Sequence, residues 1–132
     1  MHEIRLRTER RTQVVEITRQ VREAVAGESG SAVLVYVPHT TAGVTINEHA
    51  DPAVARDFEA ALERMVGDEW GWQHIEEGEE NAPTHVRASL MGPSVVVPLA
   101  GLGSVELGVW QGIFFCEFDG PRDRQVYVSI LA

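Results

Sequence analysis

Between Ser94 and Leu131 the chain carries four strand-like runs, SVVVPL, SVELGV, WQGIFFCEF and RQVYVSIL, with no gap among them long enough for a helix. Parallel neighbours need a crossover of roughly a dozen residues or more, whereas antiparallel ones close through a turn. The C-terminal third therefore predicts an antiparallel sheet, with Asp119-Gly120-Pro121 as its last turn.

The rest of the chain adds strands and helices to that sheet. IRLRTER alternates apolar and charged residues and predicts a half-exposed strand, with QVVEI at 13–17 as a hairpin partner. Thr18 is placed to cap a short helix, TRQVREAVAG, whose Ile17, Val21 and Val25 share one face. SAVLVYVP predicts a buried strand stopped by Pro38, and TAGVTI a second one. Asp51-Pro52 is a strong helix start, because the carboxylate accepts from orphan N–H groups and proline needs none at the first position. The helix over 52–66 would bury Val54, Phe58, Leu62, Met65 and Val66 and turn Glu59 to water. Asn81 is placed to cap a third helix, running to Met91, with Val86 and Leu90 as its apolar stripe and Gly92-Pro93 as its stop. About eight strands and about three helices without βαβ alternation predict a single α+β domain over 1–132, with a largely antiparallel sheet. A doubly wound nucleotide fold would need a glycine-rich phosphate fingerprint, which is missing.

Charge narrows the function. Twenty acidic against eleven basic residues give a net charge of −9, a field that repels polyanions, so no nucleic-acid partner is expected. Every basic residue is arginine, which excludes Schiff-base lysine chemistry and a P-loop lysine. No apolar run reaches a membrane-spanning length and MHEIRLRTER lacks a signal-peptide core, so a cytoplasmic protein without a membrane partner is expected. The lone Cys116 sits mid-strand and predicts a buried, unreactive thiol.

The stretch HTTAGVTINE concentrates chemistry at both ends of a strand. His39 follows a proline-stopped strand, where an imidazole sits at the mouth of a sheet; Thr40 and Thr41 offer hydroxyls to a ligand or simply suit a strand. Asn47 and Glu48 end the next strand, where Glu48 has the chemistry of a general base, and Asp51 caps the following helix and could also help hold an anion. His49 reads as a surface residue. His74 precedes the acidic run Glu76, Glu77, Glu79 and Glu80, a ligand beside carboxylates that could fix its tautomer. His85 and Ser89 are four apart on one helical face, with Arg87 a step away and free to reach a neighbouring region or subunit. Gln111, beside Trp110 and Gly112, could orient a ring. Histidines on three segments have no fixed metal-binding spacing, so the sequence leaves metal and non-metal readings open.

Taken together, HTTAGVTINEHADP, HIEEGEENAPTHVRASLMGPSVVVP and LGVWQGIFFCEFDGPR resemble the YjbQ family, also called UPF0047, over nearly the whole chain from about residue 12. The family pattern matches at His39, Thr40, Asn47, Glu48, Asp51, Pro52, His74, Glu77, Gly78, Pro83, His85, Ser89, Gly92, Trp110, Gln111 and Gly112. It departs at His49, where asparagine is usual, and at Arg87, where lysine is common. The resemblance implies a homotrimer of small α+β subunits and a secondary thiamine-phosphate synthase activity: transfer of a hydroxymethylpyrimidine group from its diphosphate to a thiazole phosphate. It implies catalytic roles for Asn47, Glu48 and Asp51, and contacts to small phosphorylated molecules from Thr40, Thr41, Arg87, Ser89, Gln111 and Arg122. A leaving diphosphate needs local charge neutralisation that a chain at −9 does not supply in general, so a divalent metal is expected, magnesium for transfer or zinc on His39, His74 and His85. Two alternatives stand beside it: a hydrolase in which three histidines hold zinc and Glu48 activates water, and a non-catalytic trimeric module binding a metal or an anion.

Overall fold

The structure is a computed structural model that describes residues 1–78 and 81–132; the expected roles of Glu79 and Glu80 lie outside the described residues. In chain order the elements are β1 (His2–Arg7), β2 (Gln13–Glu16), α1 (Thr18–Val25), β3 (Ala32–Tyr36), β4 (Ala42–Glu48), α2 (Pro52–Met65), α3 (Ala82–Met91), β5 (Ser94–Ala100), β6 (Ser104–Val105), β7 (Gln111–Glu117) and β8 (Asp123–Leu131). They form two sheets, one of five strands ordered β1-β8-β3-β5-β6 and one of three ordered β2-β7-β4. Every pairing is antiparallel, but of the four C-terminal runs only β5 and β6 pair with each other; β7 and β8, expected to continue one sheet through short turns, lie in different sheets and pair with strands far away in sequence.

The alternation of each strand decides where it points. In the five-stranded sheet Ile4, Val33, Val35, Val97, Val126 and Val128 turn inward and meet Val44, Ile113 and Phe115 from the smaller sheet, with Ile17, Val21 and Val25 of α1 in the same cluster. The smaller sheet is covered on its other face too, where Phe114, Cys116 and Phe118 pack with Leu62 of α2 and Ala88 of α3. β7 is thus buried from Gly112 to Glu117, which explains its continuous apolar run. The layers run from α2 and α3, through the small sheet, to the core with α1 and the large sheet, whose outer face stays uncovered.

Several local expectations are corrected. β1 and β2 do not form a hairpin: β1 pairs with β8 and β2 with β7, so the IRLRTER-to-QVVEI link crosses between sheets. Ile17 is the N-cap of α1, and the Thr18 hydroxyl instead donates to Glu16 (2.8 Å) and accepts from the Ile113 N–H (2.8 Å), tying the helix start to β7. SVELGV shrinks to the two-residue β6. On α2, Asp51 caps as expected, accepting from the Ala53 N–H at 2.9 Å, but the buried face carries Glu59 and leaves Met65 exposed. Glu59 is held there by Arg10 and by the Val14 N–H. On α3, Val86 and Leu90 are exposed, and Ala82, Pro83, Thr84, Arg87 and Ala88 are buried. The stripe shifts by a residue because small side chains let α3 sit close against β4: a Cβ on Gly43 would come within 2.7 Å of the Gly92 carbonyl oxygen.

Candidate functional site

Three chain segments end at one corner of the molecule. The link from β3 to β4 brings His39, Thr40 and Thr41; the start of α3 brings Asn81 and His85; the β7–β8 turn brings Asp119 and Arg122, and the start of β8 brings Arg124. With Glu77 they line a recess of ≈ 310 Å³. His39 lies at the mouth of the sheet, as Pro38 after a buried strand predicts.

Under the recess sits a buried ion pair. Glu117 is wholly buried and Arg124 nearly so, and Arg124 donates to both Glu117 oxygens and to the Thr41 hydroxyl. Thr8 donates to Glu117 at 2.7 Å, and the Phe118 and Asp119 N–H groups close on its other oxygen. Such saturation is what makes a buried pair tolerable. Thr41 therefore belongs to the floor of the site, while Thr40 is exposed to a ligand.

His39 Nε2 accepts from the Gln125 N–H at 2.9 Å. That bond commits the Nε2 lone pair and places the ring proton on Nδ1. Burial, reinforced by the Arg124 charge, holds its pKa below the ordinary histidine value. His39 is a neutral donor.

A second chain of hydrogen bonds runs across the recess. Arg122 donates to Asp119 Oδ2 at 2.9 Å, and Asn81 Nδ2 donates to the same oxygen at 2.9 Å. Asn81 Oδ1 then faces His74 Nε2 (2.9 Å) and His85 Nε2 (3.0 Å), with the two rings edge to face at 5.1 Å. On the far side His74, Glu77, Ala82, His85 and Val86 border a larger, mainly apolar cleft of ≈ 690 Å³ with Trp72 in its wall. Glu77 and His85 line both spaces.

The structure brings together His39, Thr40, His85 and Arg122, and it joins His74 to His85. Ser89 lines a neighbouring hollow with His39, Thr40 and His85. It does not bring in Asn47, Glu48 or Gln111. Glu48 is paired with Gln111 at the other end of β4, and at about 3.4 Å per residue that end lies about 20 Å from Ala42. Asp51 is committed to its helix cap. Within one chain Glu48 thus cannot activate a water beside the histidines. Arg87 is corrected as well. It is 1% exposed and donates to the Val66 carbonyl (2.6 and 3.1 Å), with Asp68 at 3.5 Å. It ties α3 to the end of α2 and turns away from the recess.

The metal expectation can be tested on donor geometry. Among the described residues no group of three or more His, Cys, Asp or Glu side chains stands ready to hold a metal ion. His39 has its lone pair on a backbone N–H, and His74 and His85 both aim Nε2 at Asn81. His74 and His85 each keep Nδ1 open, but His39 has no lone pair left to complete a three-histidine zinc centre, so that centre does not fit this arrangement.

Asn81, Asp119, Arg124 and Gln125 are the site residues that sequence reasoning missed. Asn81 was legible only as a helix start and Asp119 only as a turn, yet an asparagine four residues before a histidine is a pair that shares a helical face. His49 is exposed, as expected, and pairs with Glu16 at 3.0 Å over Gly112, where a Cβ would come within 2.6 Å of the Glu16 carboxylate.

An all-antiparallel two-sheet α+β domain with a polar recess at the strand ends defines the class. The model of the YjbQ-like UPF0047 proteins matches residues 2–132. A UPF0047 protein of Methanocaldococcus jannaschii is 43% identical over 96% of this chain and 90% of its own length. The UPF0047 protein YugU of Bacillus subtilis is 41% identical over 97% and 96%. The crystal structure of an uncharacterized YjbQ/UPF0047 protein of Clostridium acetobutylicum superposes with a TM-score of 0.90 at 44% identity, covering 99% of this chain and 100% of that one. A hypothetical protein of Aeropyrum pernix superposes at 0.91 with 36% identity over 99% and 97%. The chain belongs to the UPF0047 family. Among the described residues no helix is long and apolar enough to cross a membrane.

Proposed function

We propose that this protein is a thiamine-phosphate synthase-like transferase that joins a hydroxymethylpyrimidine diphosphate to a thiazole phosphate. The observation that carries the reading is the junction at His85 and Glu77 of a small polar recess with a larger apolar, Trp72-walled cleft. A substrate with a charged phosphate head and a flat ring has one space for each end. Thr40, the neutral His39 donor and Arg122 are the groups for the phosphate, and Ser89 borders the same corner.

The charge balance says how the diphosphate arrives. Arg122 is paired with Asp119 and Arg124 with Glu117, so neither brings an unopposed positive charge. A substrate carrying its own magnesium ion as a chelate meets this recess at lower electrostatic cost than a bare diphosphate does. In the reaction the thiazole nitrogen forms a bond to the pyrimidine methylene carbon while the carbon–oxygen bond breaks. The electron pair leaves with the diphosphate, whose oxygens the Arg122 and His39 N–H groups receive.

The transferase reading stands ahead of zinc hydrolysis because Glu48 lies at the opposite end of β4 from the histidines. Purified protein with magnesium and the two phosphorylated precursors should form thiamine phosphate, and Arg122→Gln should reduce turnover about tenfold or more. No product under conditions where a competent synthase makes it would overturn the assignment. Binding of the precursors without turnover would identify a binding module instead.

A further inference from the structure

We infer that Asn81 is the positioning residue of this site: oriented by Asp119, its amide holds His74 and His85 in the same Nε2–H tautomer. Each ring then offers a ligand only the acceptor nitrogen Nδ1. The inference deepens the reading of the recess as a substrate site, but the tautomers themselves do not depend on which reaction occurs there.

Arg122 anchors the chain of hydrogen bonds. Its Nη2 lies 2.9 Å from Asp119 Oδ2, so this oxygen belongs to a carboxylate in an ion pair and accepts hydrogen bonds. The Asn81 side-chain atom 2.9 Å from it must be the NH₂ group, since an amide oxygen there would set two acceptors against each other. That settles the amide's orientation and turns its carbonyl oxygen toward the two imidazoles. An amide oxygen only accepts, so both Nε2 atoms must donate. Asn81 is 4% exposed, and its backbone carbonyl accepts from the Thr84 N–H at 3.0 Å and from the Thr84 hydroxyl, so the residue has little freedom to turn away.

The consequence is a polarity across the site. His39 presents Nδ1–H and Arg122 presents N–H groups, a donor end that suits phosphate oxygens. His74 and His85, in their neutral form, have only Nδ1 lone pairs left, an acceptor end that suits a ring amine or hydroxyl and turns phosphate away. A ligand bearing both features would enter in one direction.

Nitrogen-15 histidine labelling and long-range nitrogen–proton correlation spectra test this on the whole protein at a mildly alkaline pH. Wild type should show His74 and His85 protonated at Nε2 and bare at Nδ1, with His39 in the opposite tautomer as an internal reference. In Asn81→Ala both rings should move toward the mixed tautomer signals of free imidazole while His39 stays put. Asp119→Ala, which removes the acceptor that orients the Asn81 amide, should shift at least one of them and serves if Asn81→Ala does not fold. Either ring protonated at Nδ1 in the wild type, or unchanged His74 and His85 signals in a folded Asn81→Ala protein, would overturn the inference. Transferase turnover, measured in parallel, should fall about tenfold or more in Asn81→Ala, the scale of losing a residue that orients a functional imidazole. Wild-type protein without turnover but with the stated tautomers would sink the transferase reading and leave Asn81 in place.

Discussion

At the scale of single residues, the site is built from groups whose protonation is decided by neighbours. His39 is held toward its neutral form by burial first and by the Arg124 charge second, while its Nε2 accepts from the Gln125 N–H. Its folded pKa lies below the ordinary value of about 6.5, so the unfolded chain binds the proton more readily. The stability this contributes is fully present above that ordinary value and is lost as pH falls through it toward the folded one. Urea midpoints measured from neutral to mildly acidic pH should therefore fall for wild type more steeply than for His39→Gln, which keeps an acceptor for the Gln125 N–H and has no proton to take up. Parallel slopes would mean His39 titrates as it does in the unfolded chain. Cys116 lies at the other extreme. Burial pushes its thiol up to about 12, which makes it a core side chain without nucleophilic chemistry at neutral pH.

At the scale of elements, the contact between α2 and α3 shows what a side chain read in isolation conceals. Arg87 crosses to the last carbonyl of that contact at Val66 and to Asp68, whose carboxyl is held below its usual range mainly by Arg11 and also by Arg87. Arg87→Met should keep the volume but strand the Val66 carbonyl, at about 1–3 kcal/mol of stability. Inorganic phosphate affinity should stay unchanged. Denaturant titration and calorimetry check the two halves, and a folded Arg87→Met protein with weakened phosphate binding would return Arg87 to the site. The strands, the Asp51 cap and the Gly92 stop were legible because each rests on local pattern. Arg87, Glu59 and the pairing of β1 with β8 were not, since their partners lie far away in sequence and no periodicity records them. The same reason divides the site: His39 and His85 stood out by residue type, whereas Asn81 and Asp119 acquire their roles only when α3 meets the β7–β8 turn. Glu48 and Gln111 stood out too, but they pair where β4 ends and β7 begins, at the opposite end of β4 from the recess.

At the scale of the whole molecule, one face remains to be accounted for. The five-stranded sheet buries one side and leaves the other bare, and there the central strands carry Leu34, Tyr36, Val96 and Pro98 where an exposed antiparallel sheet would alternate to polar residues. Tyr36 and Val96 are 42% and 56% exposed, and Tyr36 stacks on Tyr127 at 6.5 Å. Glu3, Arg5, Arg7 and Asp123 rim this apolar centre, the layout of an association surface. We propose that the face closes on other copies of the chain in the homotrimer implied by the sequence resemblance. Chains of net charge −9 repel one another, so the trimer should tighten as salt is raised. Light scattering on the purified protein at micromolar concentration should give three times the chain mass. Val96→Glu should shift the mass toward that of one chain while leaving the circular dichroism spectrum intact, because a residue this exposed within one chain has little packing to lose. A trimer untouched by Val96→Glu would move the interface to another face, and a monomeric wild type would remove it. The β1–β8 edge of this sheet carries Arg5, Arg7 and Gln125 to a hollow of ≈ 680 Å³ that also touches His39 and Arg124. Dissociation should therefore also alter ligand binding at the recess if a second copy covers that hollow, and phosphate titrations of Val96→Glu beside wild type measure that coupling directly.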